Sequence, residues 1–301
     1  MSAALVLGRS RRRTLVLDAS EPRNAPASGV HGFFSRDGIP PEELLRIGRE
    51  QLEPYPSVEV RYARVTGARG RDGDFEVILD DGSLVRTRKL LLATGVVDEL
   101  PEKPGFKEFW GRGVYHCPYC HGWEVRDRPL AVLNSGEGAA ERAAFIRNWS
   151  RDLVLLTDGP ANLNAEGRRT LRALDIPVRE ERISYLEGDP GGLAGGLRRI
   201  HFEDGSSLER EGLFYVPPQR QGSELAKMLG CEIGPMGQAR AGVKADPTTR
   251  ETTVAGVHVA GDAGNPVQSA LLAAASGANA ALFVNHSLVA DEVAAAVGAA
   301  A

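Results

Sequence analysis

Cys117-Pro118-Tyr119-Cys120-His121 is the segment whose side chains could do the most chemistry. Two cysteines three positions apart can close a small disulfide at the start of a helix. There the helix dipole and free N–H groups stabilise a thiolate and lower its pKa. His121 follows directly, and imidazole is the side chain best suited to move protons near neutral pH. One thiol would attack a disulfide, the other would resolve it or face an electron donor, and the histidine would handle the proton. Three other readings of the same residues stay open at this point. The cysteines could be core residues that happen to be close, although Pro118 between them and Gly113 and Gly122 around them favour a shaped turn. His116, Cys117, Cys120 and His121 could be offered to zinc, but adjacent His and Cys cannot easily both reach one tetrahedral ion. Cys-x-x-Cys-His is also the c-type haem attachment pattern, which needs export; the apolar stretch 3–7 is too short for a signal segment.

Several turns could hold a nucleotide. Gly136, Glu137, Gly138 and Ala139 follow an apolar run, 130–133, and open a helical stretch, the place for a pyrophosphate at a helix N-terminus. The glycine pattern is imperfect, with Asn134 at its first position, and a plain α/β turn is the competing reading. Asp158 ends the next apolar run. A carboxylate there suits a ribose 2′-hydroxyl and repels a 2′-phosphate, unless it is only a solvated turn residue. Gly261-Asp262 lies between a buried run and a long alanine-rich helix, and Thr94-Gly95 ends another buried run. Small residues there permit close approach of a bulky cofactor. Asp18 also closes a strand and could bind an adenosine ribose. Cys231 lies in apolar surroundings as an inert core thiol.

These residues need a scaffold of alternating elements. Strands are expected at 15–18, 58–65, 75–79, 84–88, 90–93, 130–133, 153–157, 178–183, 198–202, 207–208, 213–216 and 257–260. Helices are expected at 2–8, 41–53, 139–149, 162–174, 223–229 and from about 267 to 282, with the alanine-rich end continuing or fraying the last. Turns are expected at 188–196 and 204–205. The strand–helix pattern occurs twice, with the second set inserted into the first. The fold class is therefore α/β: two Rossmann-like, three-layer nucleotide-binding domains. One is discontinuous, 1–110 with 218–301, and encloses the other, 111–217.

Composition sets the outer bounds. The 301 residues suit about two domains. With 42% hydrophobic and 25% charged residues the chain is globular, not disordered. A formal charge of −4 leaves no cationic excess for nucleic acid. No run of about 18 apolar residues occurs, so no membrane span is expected. Three cysteines cannot form a secreted disulfide framework, which favours a reducing, cytoplasmic setting.

The order of these motifs resembles the low-molecular-weight thioredoxin reductase family of flavoproteins over essentially the whole chain. The stretch His116-Cys117-Pro118-Tyr119-Cys120-His121-Gly122-Trp123-Glu124 looks most like the branch acting on small dithiols of the gliotoxin and holomycin type. The resemblance implies an FAD domain enclosing an NADPH domain that carries the redox cysteines. It implies that Asp18 binds the FAD adenosine, that Thr94 and Gly95 line the cofactor, and that Gly261 and Asp262 meet its ribityl-phosphate part. Gln268 and Ser269 would lie near the flavin ring, Cys120 would face it, and Cys117 would attack the substrate. His121 stands where the family usually has an aspartate. Relative to the family the chain is expected to be truncated at its N-terminus, without the first strand and glycine loop. Asn134-Ser135 and Thr157-Asp158-Gly159 replace the family's nucleotide-reading residues, and the Asp158 carboxylate favours NADH over NADPH, or neither. The implied partners are a thioredoxin-like protein or a small disulfide or dithiol, and a second copy in a homodimer. The implied activities are NAD(P)H-driven disulfide reduction, dithiol oxidation by oxygen, or a flavin-free remnant without catalysis.

Overall fold

The computed structural model describes residues 1–191, 196–236 and 241–300. In chain order the elements are α1 (Ser2–Arg9), β1 (Thr14–Asp18), α2 (Pro41–Glu50), β2 (Val58–Tyr62), β3 (Val65–Arg71), β4 (Asp74–Leu79), β5 (Leu84–Thr87), β6 (Leu90–Leu92) and β7 (Val96–Asp98). There follow β8 (Val114–Tyr115), α3 (Pro118–His121), β9 (Leu130–Leu133), α4 (Ala139–Ile146), β10 (Leu153–Leu156), α5 (Ala165–Ala173), β11 (Val178–Arg179), β12 (Ile183–Gly188), β13 (Leu197–Phe202), β14 (Ser207–Glu209) and β15 (Gly212–Tyr215). The chain closes with β16 (Gln219–Gln221), α6 (Leu225–Met228), β17 (Ile233–Pro235), β18 (Ala241–Val243), β19 (Val257–Val259) and α7 (Ala270–Ala300). They form two compact units: Met1–Ala25, Pro41–Asp98 and Gln219–Ala301 make the first, Pro26–Pro40 and Glu99–Pro218 the second. The segment Pro26–Pro40 thus groups with the second unit, which the sequence-based boundaries placed in the first.

The second unit has three layers. Its parallel sheet runs β11-β10-β9-β15-β8. Strand alternation gives the sheet two apolar faces. Leu130, Val132, Leu153, Leu155 and Phe214 pack on Ala139, Ala143 and Ile146 of α4 and Leu171 of α5. Ala131, Leu133, Val154, Leu156 and Leu213 pack on Ile183, Leu186, Ile200 and Phe202 of the antiparallel meander β12-β13-β14. Phe214 is fully buried at mid-sheet. Phe214→Ala is expected to cost about 3–5 kcal/mol, read as a lower urea midpoint with an unchanged slope.

The first unit is built from shorter ladders. β1 pairs in parallel with β2, and β6 with β19. β3-β4-β5 is an antiparallel meander, and β7 pairs with β16 and β17 with β18. Among the described residues, β1 has a single ladder partner, and its apolar Leu15, Val16 and Leu17 are only half-buried. The Glu292 carboxylate accepts from Arg12, just before β1, at 2.6 Å and from Arg88, just before β6, at 3.0 Å.

Four expectations need correcting. The strand expected over 58–65 breaks at Ala63-Arg64, because β2 pairs in parallel with β1 while β3 turns to pair antiparallel with β4. The strand expected over 178–183 is two strands, since the Ile183 N–H donates to the Asp158 carboxylate and starts a new ladder. The last helix begins at Ala270 and runs to Ala300, because its alanine-rich end propagates it. By length and composition α7 is also apolar enough to cross a bilayer, which the sequence reading had excluded. It packs Ala281, Val284 and Leu288 around Leu7 of α1, and Asp291 pairs with the buried Lys89. The turn expected at 188–196 includes 192–195, which lie outside the described residues.

Candidate active site

β8 ends at the carboxyl edge of the parallel sheet, and the cysteines follow directly. Cys117 and Cys120 form a disulfide with Cα atoms 5.3 Å apart. Cys117 has extended backbone and N-caps α3, whose N1 residue is Pro118. The N–H groups of Cys120 and His121 both donate to the Cys117 carbonyl, each at 3.2 Å. Because α3 is a single turn, its dipole is small, and acid–base help falls mainly to His121. Gly122 has to be glycine: a Cβ there would lie 2.5 Å from the Pro118 carbonyl oxygen and 2.6 Å from Trp149. The exposed Tyr119 ring meets Phe145 and Trp149 edge-on, at 5.7 and 5.6 Å between centroids.

Both ring nitrogens of His121 are buried without a hydrogen-bond partner. Tyr115 stacks on the ring at 4.9 Å. Burial, helped by the nearby His31, pulls the imidazole down to about 4. His121 is therefore neutral at pH 7, with neither nitrogen taken up by a hydrogen bond. Burial, helped by Glu124, pushes the Tyr115 phenol up to about 12, so it does not compete as a base. Sequence reasoning missed Tyr115 and His31. Both lie outside the Cys-x-x-Cys segment, and only the fold brings them to it.

The nucleotide candidates of this unit lie at the carboxyl ends of β9 and β10. Gly136 is left-handed (φ 73°), with open space where a Cβ would stand, and its N–H donates to the Ala161 carbonyl. Glu137 is exposed, Gly138 N-caps α4, and Ala139 is buried in the core. Asp158 follows β10. Its oxygens accept from Lys103 at 2.7 and 2.8 Å and from the Ile183 N–H at 2.7 Å. This ties β10 to the meander.

In the first unit, Asp18, Thr94-Gly95 and Gly261-Asp262 follow or close β1, β6 and β19 at their carboxyl ends, where parallel sheets hold nucleotides. Asp18 accepts from the Ser20 N–H at 2.8 Å and from Arg49 at 3.1 Å. Gly95 has φ 63° and no atom within 4 Å of a built Cβ. The Gly261 N–H donates to Ser276 at 2.8 Å, and Ser269 accepts from the Leu272 N–H at 3.1 Å. Asp262 and Gln268 both accept from Arg23, at 3.2 and 2.7 Å. Arg23 also makes a two-pronged pair with Asp98, at 2.6 and 2.8 Å. Arg23 and Asp98 escaped the sequence reading. The open space at Gly95 leaves room for a bulky cofactor to approach, and the Asp18 carboxylate is of the type that binds an adenosine ribose.

Two α/β units, one carrying a Cys-x-x-Cys disulfide backed by a buried imidazole, define a dithiol–disulfide oxidoreductase. The family model described as pyridine nucleotide-disulphide oxidoreductase matches residues 1–277, and the chain belongs to that family as a thioredoxin reductase-like enzyme. It is 31% identical to thioredoxin reductase tcpT of Claviceps purpurea over 97% of this chain and 91% of that one. It resembles the crystal structure of HlmI with a TM-score of 0.90 and 38% identity, covering 99% of this chain and 92% of that one. The oxidoreductase of Agrobacterium tumefaciens superposes with a TM-score of 0.88 at 35% identity, covering 96% and 94%. Thioredoxin reductases of this family use FAD and NADPH.

Proposed function

We propose that the chain exchanges electron pairs between FAD and an external sulfur pair through Cys117 and Cys120. That external pair would be a thioredoxin-like protein or a small disulfide or dithiol. The observation that carries this reading is the Cys117–Cys120 disulfide beside the unpaired, neutral His121. When bound, FAD supplies the two-electron store that connects the cysteines to NAD(P)H or oxygen. Asp18 would hold its adenosine ribose, Thr94 and Gly95 would line it, and Gly261 with Asp262 would hold the ribityl-phosphate part. Gln268 and Ser269 would lie near its ring. In the dithiol direction, a substrate thiol gives its proton to His121. The resulting thiolate attacks Cys117 Sγ, the Cys117–Cys120 bond breaks, and Cys120 leaves as a thiolate that takes up a proton. The second substrate thiolate then attacks the mixed disulfide and releases Cys117. The net result is one oxidised substrate disulfide and two cysteine thiols. Reduction of a substrate disulfide is the reverse.

The engagement of Asp158 and the Asn134-Ser135 turn favour a second reading, dithiol oxidation with oxygen as terminal acceptor, because they leave the nicotinamide site poorly furnished. Anaerobic mixing of the flavin-loaded protein with NADPH, NADH or a small dithiol separates the two. Bleaching of the flavin band by a nicotinamide nucleotide supports reduction. Bleaching by the dithiol alone, with oxygen uptake in air, supports oxidation. No bleaching by any of the three would sink both. The proposal extends to a reducing, cytoplasmic setting and to a homodimer. The exposed Val289, Val293 and Val297, spaced along one side of α7, support the dimer, and sedimentation checks it.

A further inference from the structure

The segment Pro26–Pro40 folds into the same unit as the redox cysteines and brings a second imidazole to their base. Val30 and Ile39 form an antiparallel bridge, with the Val30 N–H donating to Ile39 at 2.8 Å and the Gly38 N–H to Val30 at 2.9 Å. His31 sits inside this turn. Its ring meets His121 edge-on, 6.3 Å between centroids and at 78°. His31 Nε2 lies 3.5 Å from Glu124 Oε1, and Nδ1 lies 3.7 Å from Asp37 Oδ1. The second oxygen of Glu124, Oε2, is buried without a hydrogen-bond partner. Asp37 is 72% exposed and also accepts from the Gly32 N–H at 2.7 Å.

These groups form a line from a sealed base to water. His121 has no polar partner of its own, and the face stacked on Tyr115 offers none. A proton taken from a thiol would strand a cation in a dry pocket unless it could leave. We propose that His31 is the relay that carries protons between His121 and solvent, oriented by Glu124 and Asp37. Two imidazolium rings at this distance repel, which discourages both from carrying charge at once. A carboxylate stands at each His31 nitrogen and attracts positive charge there. The spacings leave room for tightening or for a single bridging water. The step balances without an electron. A thiol S–H bond breaks, the proton passes to His121 and, across a bridging water, to His31 Nε2; Nδ1 yields one to Asp37, and Asp37 yields it to water, while Glu124 holds the ring. The electron pair goes separately into the Cys117–Cys120 disulfide. The charged or titratable groups facing the two histidines are Asp37 and Glu124. Tyr115 covers His121, and Arg128 acts on Tyr115.

This inference rests on Cys117 and Cys120 being the working couple. The test is the anaerobic reduction of the full chain's disulfide by dithiothreitol between pH 5 and 9, followed by thiol release. His31→Ala should slow the step by roughly 10-fold or more and shift its pH profile, and added imidazole should restore the rate. Glu124→Gln should shift the same profile. Removing the neighbouring charge in His31→Gln should raise the His121 titration followed by NMR. A His31→Ala protein of native circular dichroism with the wild-type rate and profile overturns the relay, as does a loss that imidazole does not restore. An unmoved His121 titration in His31→Gln also overturns it. A wild-type chain that dithiothreitol cannot reduce brings down the redox-pair reading and the relay with it.

Discussion

Cys117→Ser should abolish turnover with any sulfur substrate, a loss on the order of 10³-fold or more, because a serine hydroxyl neither ionises near neutral pH nor forms a disulfide. Cys120→Ser should stop turnover at a different point. With no resolving thiol at position 120, an oxidised substrate stays attached to Cys117 as a mixed disulfide. Intact-protein mass spectrometry would show that adduct in Cys120→Ser and its absence in Cys117→Ser. An adduct on Cys120 in the Cys117→Ser protein would reverse the two roles, and steady turnover by either variant would end the case for this pair as the working couple.

His121→Ala should slow the proton-coupled steps by roughly 10²-fold or more, as expected on loss of a positioned base. It should also change how stability depends on pH, and the sign can be fixed. The unfolded chain takes up a proton on this histidine near its ordinary value of 6.5, whereas the buried ring resists until about 4. Between those values the unfolded state binds more protons, so stability falls as the pH drops through the window. Well above pH 6.5 the group costs nothing. The full effect is on the order of 3 kcal/mol. His258, another buried ring held below its usual range mainly by burial, adds a loss of the same sign. Urea melts at pH 5 and 7 should therefore show a smaller acid loss in His121→Ala than in wild type. Equal losses in the two proteins would contradict a neutral, buried His121.

What the sequence made legible was mostly local. The alternation Leu130-Ala131-Val132-Leu133 needs two apolar faces, and the sheet has them in the helices and the meander. Pro118 between two cysteines, followed by histidine and a glycine, marked a shaped turn that the structure builds around Cys117 as N-cap. What stayed hidden depends on partners distant in the chain. Lys103 claims Asp158 from 55 residues away, and Arg23 reaches Asp262 across 239. His31 has no local pattern that marks it, and its value comes only from standing beside His121. How far the last helix runs stays open in the sequence for another reason: alanine propagates a helix without any periodicity that reveals a buried face.

The packing of Trp149 around the redox turn gives the protein a built-in optical gauge. Trp149 lies against Gly122 and Tyr119, and Trp123 follows Cys120 by three residues, so two of the chain's three indoles lie in or against the segment 117–123. A disulfide quenches nearby excited indole, and opening it removes the quencher. Ultraviolet-excited emission should therefore brighten as the sulfurs take up electrons, so the redox state of this site could be read without any added dye.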